Sequence, residues 1–93
     1  MKTIKEERSH NINKKLFHDR IKDLKEEYKS FSAKIEKNGD NYIVSGPGFD
    51  GYIVYSDSKI KAILNLKSLI AKMMKSRIHN SLKQQMDNLV RTD

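Results

Sequence analysis

Residues 38–55 read NGDNYIVSGPGFDGYIVY. Within them Gly46, Gly48 and Gly51 match the spacing G-x-G-x-x-G, which in dinucleotide-binding proteins cradles a pyrophosphate. The fold turns on the four residues after Gly51. A phosphate-binding loop opens onto a helix, whose free N–H groups and positive dipole end meet the anion. Here Gly51 leads into Tyr-Ile-Val-Tyr, an aromatic and β-branched run that suits a strand. No helix start arises before Ser68, and Pro47 removes one backbone donor. The loop therefore reads as a turn between strands, with no nucleotide or other cofactor expected. Gly46 and Gly48 bend the chain, and Gly51 marks a bulge or a close approach of two backbones.

Working outward, the period stays at two. Ala33 and Ile35 alternate with Lys34 and Glu36, and Asn38-Gly39 is a strong hairpin signal. Strands are expected over 33–37, 41–45 and 51–56. After a turn at Ser56–Ser58, a further strand over 59–67 places Ile60, Ala62, Leu64 and Leu66 on one face. Beyond these limits the period becomes helical. Phe17, Ile21, Leu24, Tyr28 and Phe31 form one stripe, which predicts a helix over 14–31 capped by Asn13 or Asn11. Ser68 caps a second helix over 69–90, with Ile70, Met74, Ile78, Leu82, Met86 and Leu89 facing inward. Residues 2–8, where Ile4 is the large apolar residue, suit a weak edge strand. The fold class is α+β: an antiparallel sheet of about four strands packed with two helices, in the order (β)-α-β-β-β-α, as a single domain over 1–93.

The chain has 93 residues, enough for one small core of modest stability. It has no cysteine, so it has neither a disulfide framework nor a thiolate metal site. The opening MKTIKEERSH has no apolar segment of the secretory kind, and no apolar run approaches the ~20 residues of a membrane span. A soluble, cytoplasmic protein is expected. The net charge of +7 is uneven. Residues 1–31 carry net +3, residues 32–58 net −2 and residues 59–93 net +6. A basic C-terminal end suits either an anionic partner or simply a solvated surface.

No catalytic or metal site is expected. His10, His18 and His79 have no helical pair spacing among them. Asp19 and Asp23, with Arg20, Lys22, Glu26 and Glu27, read as an exposed, salt-bridged helix face. No serine sits in a nucleophile-elbow context, so the protein reads as a non-enzyme. Two surfaces remain. Lys59, Lys61 and Lys67 on the last strand and Lys72, Lys75, His79 and Lys83 on the last helix form a candidate basic patch. Ile43, Tyr52, Val54 and Ile63 alternate out of phase with the inward residues and form a candidate apolar interface on the far sheet face. Either a partner or the first helix or N-terminal segment covers it.

The chain resembles the putative polyhydroxyalkanoic acid system protein family over residues 3–90. The resemblance rests on His10-Asn11-Ile12 and on the helix carrying Ile21 and Leu24. It continues through residues 38–55 and the closing LNLKSLIAKMMKSRIHNSLKQQMDNL of residues 64–89. The closing helix is richer in Lys, Asn and Gln and poorer in Glu than the family pattern. The resemblance implies association with polyester storage granules and carries over no catalytic residue. It favours a non-enzymatic accessory protein whose partner is an apolar granule surface, or acidic protein or lipid upon it, with self-association as a further use of the apolar face. The alternative is an RNA-binding module, since helix–three strands–helix is also the order of the double-stranded RNA-binding domain. However, Leu69, Ile70 and Ala71 occupy the turn where that domain clusters lysines. Nucleic acid therefore ranks second as a partner.

Overall fold

In the computed structural model, which describes residues 2–91, the period-two region builds four consecutive antiparallel strands. They are β2 (Lys34–Asn38), β3 (Asn41–Gly46), β4 (Phe49–Tyr55) and β5 (Lys59–Leu66). The N-terminal segment is a full strand, β1 (Lys2–Ser9), which pairs with β5 along its whole length. The sheet thus has five strands in the order β1-β5-β4-β3-β2, against about four expected. Four strands separate the helices, as the expected ranges 33–37, 41–45, 51–56 and 59–67 require and one more than the order (β)-α-β-β-β-α allows, so the topology departs from that of the double-stranded RNA-binding domain.

Two tight turns set the register. Asn38 pairs with Asn41, so the first turn centres on Gly39-Asp40, one residue later than the Asn-Gly reading. Gly39 takes φ +68 as the first central residue, the role glycine has in a type II′ hairpin. Gly46 belongs to β3 and pairs with Phe49, leaving Pro47-Gly48 as the second turn. Proline followed by a residue at φ +79 suits a type II turn. No bulge occurs at Gly51, because β4 and β5 pair without a break from Phe49–Leu66 to Tyr55–Ile60. Gly51 marks a close approach instead: a Cβ there would lie 1.9 Å from the carbonyl oxygen of Ile63.

Helix α1 (Lys14–Lys29) starts at Asn13, whose side chain accepts from the Leu16 N–H at 2.8 Å. Its stripe Phe17, Ile21, Leu24 and Tyr28 is buried as expected, and Phe31 follows it inward. The expected long C-terminal helix is divided at Met74 into α2 (Leu69–Met73) and α3 (Lys75–Leu89). Separate anchors hold the two pieces. The Lys67 and Ser68 N–H groups bond the Gly48 carbonyl at 2.6 and 3.1 Å, fixing α2 to the hairpin tip. Helix α3 is tied to β1 by His79–Glu6 and Asp87–Arg8 contacts. The Arg20 guanidinium from α1 bonds the Leu89 carbonyl at 3.1 Å and the Arg91 carbonyl, which puts a cation at the negative end of α3.

All three helices pack on one face of the sheet. That face supplies Ile4, Ile35, Tyr42, Val44, Phe49, Ile53, Ile60, Ala62, Leu64 and Leu66 to the core, together with Ile78, Leu82, Met86 and Leu89 of α3. The Tyr28 hydroxyl is buried there without a hydrogen-bond partner among the described residues, and burial pushes its pKa up. Two expected inward residues differ. Ile70 is exposed and Met74 half-buried, because α2 follows its hairpin anchor and not the line of α3.

A methyl group at Gly51 has no room without separating β4 from β5. Gly51→Ala is expected to destabilise the domain by about 1–3 kcal/mol, the usual cost of overpacking. Urea unfolding measures it, and an unchanged midpoint would mean that the strands separate freely.

Candidate functional site

The far face of the sheet is covered by no other element among the described residues. One cross-strand row on it reads Lys5, Ile63, Tyr52, Ile43, Glu36 from β1 to β2. Ile43 is 47 % and Tyr52 42 % exposed, whereas Ile63, between Lys5 and Tyr52, is 9 % exposed. Val54 is half-buried in the next row, beside Lys61. The four apolar residues singled out by alternation thus share one face. The first helix lies on the opposite side, and the N-terminal segment pairs with the sheet edge and does not lie over the row.

A second apolar surface takes in one residue of the expected inward stripe, Ile70. Leu69, Ile70 and Met73 of α2 are 74 %, 71 % and 77 % exposed. Beside them opens a cleft of about 540 Å³, lined by Phe31, Pro47, Phe49, Ile70, Ala71, Met74 and Ile78, with Ser30, Ser32, Gly48 and Ser68 as its polar lining residues. The cleft forms because the α1–β2 connection, the β3–β4 turn and the start of α2 converge at one end of the sheet. At that connection Ser32 holds φ 58, a left-handed conformation uncommon outside glycine. Ser68 fixes the start of α2 by accepting from the Ala71 N–H at 3.0 Å. The Gly48 backbone lies so close that a Cβ there would fall 2.0 Å from the Ser68 hydroxyl. The Arg77 guanidinium stands 5.5 Å from the centre of the Phe31 ring. From Ser58 to Met86 the sequence contains no acidic residue, so the charges that α2 and the first turns of α3 bring to the cleft are cationic.

The seven residues of the candidate basic patch are not brought together. Lys59, Lys61 and Lys67 lie on the open-face side, where Lys59 pairs with Glu7 at 3.0 Å and Lys67 with Asp50 at 2.5 Å. Lys72, Lys75, His79 and Lys83 belong to the helical layer, with Lys72 on α2 and the others on α3. His79 is taken up by Glu6, its Nε2 lying 2.7 Å from the carboxylate.

A family model described as Putative polyhydroxyalkanoic acid system protein matches residues 4–90. The chain belongs to that family. Among curated proteins and among solved structures, none matches. This polyhydroxyalkanoic acid system protein has, among its described residues, no helix long and apolar enough to cross a membrane.

Its histidines occupy separate polar contacts. His10 lies 2.6 Å from the Ser56 carbonyl and accepts the Ile12 N–H through its other ring nitrogen, so the first nitrogen carries the proton. His18 meets the Tyr42 hydroxyl at 2.6 Å. Among the described residues no group of three or more His, Asp or Glu side chains is placed to hold a metal ion. The expected salt-bridged face of α1 reduces to Lys29–Glu26 at 2.8 Å, because Asp19 and Asp23 are exposed and form no ion pair among the described residues.

The clasp between β1 and α3 is the most enclosed charge cluster. Glu6 accepts from His79 and, at 2.8 Å, from Arg8, which also donates to Asp87 at 2.8 Å. Burial opposes ionisation of Glu6, yet the hydrogen bonds from His79 and Arg8 outweigh it and hold the carboxyl below its ordinary value of 4.5. A group whose folded pKa is depressed stabilises the fold above its unfolded pKa and loses that stabilisation as pH falls through the folded value. Glu6→Gln should therefore lower the thermal midpoint at neutral pH. The gap to the native chain should hold down to about pH 5 and close below it. A gap that persists into strong acid would show that Glu6 acts through packing alone.

Proposed function

We propose that this chain is a non-enzymatic accessory protein of the polyhydroxyalkanoate system that docks on the storage-granule surface through α2. One observation carries the reading: Leu69, Ile70 and Met73 stand exposed together on a single turn, beside an apolar cleft and in a stretch, Ser58 to Met86, whose charges are all basic. Three large apolar side chains held in water by a short helix do nothing for the fold. Burying them against an apolar surface is favourable by roughly 1.5–3 kcal/mol each at full burial. Lys72, Lys75 and Arg77 around them add attraction for anionic groups on such a surface. The family membership supports the granule as the surface. The nucleic-acid reading is weaker, because the basic residues are divided between two layers and do not track one backbone.

Co-sedimentation with purified polyhydroxybutyrate particles tests the proposal. Replacing Leu69, Ile70 and Met73 together by Asp should reduce binding at least about tenfold. The same variant should keep its unfolding free energy within about 0.5 kcal/mol, since exposed positions contribute little to stability. Added salt should weaken binding only in part. Equal binding by the triple variant would remove α2 as the docking element.

A further inference from the structure

We propose that two copies of this chain pack open face to open face, about a two-fold axis parallel to the strands and passing over Tyr52. The inference is independent of granule docking and rests on the order of one row. From β1 to β2 the row reads cation, apolar, apolar, apolar, anion: Lys5, Ile63, Tyr52, Ile43, Glu36. With β4 as the central strand, Tyr52 is the midpoint. Rotation about an axis along the strands exchanges the two sheet edges. Lys5 then faces the partner's Glu36, Ile63 faces the partner's Ile43, and Tyr52 meets the partner's Tyr52. A two-fold interface presents the same patch twice, so it must be complementary to itself. This row is complementary to itself in this orientation. An axis across the strands would instead set lysine over lysine and glutamate over glutamate.

The charges that the chain leaves free agree. Glu7 and Asp50 on this face are already paired, with Lys59 and Lys67. Lys5 and Glu36 have no ion-pair partner among the described residues, although they end the one row that carries three apolar side chains. In the flanking rows Val54 lies over the partner's Val54, and Lys34 over the partner's Thr3. Asp50 approaches the partner's Asp50 with Lys67 and Asn65 bound to it. Two sheets packed in this way run roughly aligned, about 30° apart. The face is small, so the dimer belongs to the weak, concentration-dependent class.

Sedimentation equilibrium over a range of protein concentrations tests this. The native chain should show a monomer–dimer equilibrium, and Tyr52→Lys should be monomeric. Lys5→Glu and Glu36→Lys should each weaken the dimer at least about tenfold, because each reversal places like charges together at two symmetric contacts. The double variant Lys5→Glu with Glu36→Lys should recover the native dimer affinity. All of these positions face solvent, and an unchanged thermal midpoint of each isolated chain verifies folding. A native chain that stays monomeric throughout, or a double variant no better than the single ones, overturns the proposal.

Discussion

The carbonyl of Gly48 is the point from which the functional end of the molecule is built. It accepts two N–H groups, from Lys67 and Ser68, and so joins the β3–β4 hairpin tip to the start of α2. Three neighbouring features depend on it. Gly48 must take a positive φ and must lack a side chain, because Ser68 fills the space. Ser68 in turn caps α2, and α2 is held where α3 alone would not place it. The cleft then opens between the hairpin, the α1–β2 connection and the displaced turn. Glycines that resemble a phosphate loop in sequence thus serve a different joint, hairpin to helix.

Much of the fold was legible because burial on one sheet face imposes alternation. Tyr42, Val44, Ile53, Ile60, Ala62 and Leu64 point inward as their spacing requires, and Ile43 and Tyr52 point outward. Helix α1 was legible for the same reason at its own period. Other features were not. Strand β1 carries one buried large apolar residue, Ile4, since its inward positions Glu6 and Arg8 reach α3 with charges. An edge strand that packs through ions leaves no hydrophobic pattern to read. The break at Met74 was also hidden, because neither Pro nor Gly marks it. The stripe from Ile70 to Leu89 is continuous in spacing, yet its first member faces water. Tertiary anchors decided that outcome, and such anchors leave no local signal in the sequence. The basic residues show the same limit: spacing grouped them, whereas the two layers of the fold separate them.

The two layers also divide the chemistry of the protein. The helical layer closes the core and meets charges of β1 in a defined clasp, Glu6 and Arg8 with His79 and Asp87. The open layer carries a short apolar row edged by two charges, Lys5 and Glu36, that have no ion-pair partner among the described residues. The three helical segments all lie against one sheet face and leave the other open.

The convergence of α2, the Pro47-Gly48 turn and the Ser30–Ser32 connection at one end gives the sheet a polarity along its strands. An axis parallel to the strands preserves that polarity, so both α2 turns of a face-to-face dimer point the same way. Two weak contacts would then meet one surface at once. The second contact forms at the high effective concentration set by the first, and avidity rises by orders of magnitude without any new contact. Attachment would then grow steeply with protein concentration, and a modest loss of dimer affinity would release the protein from a surface that each single copy holds only loosely.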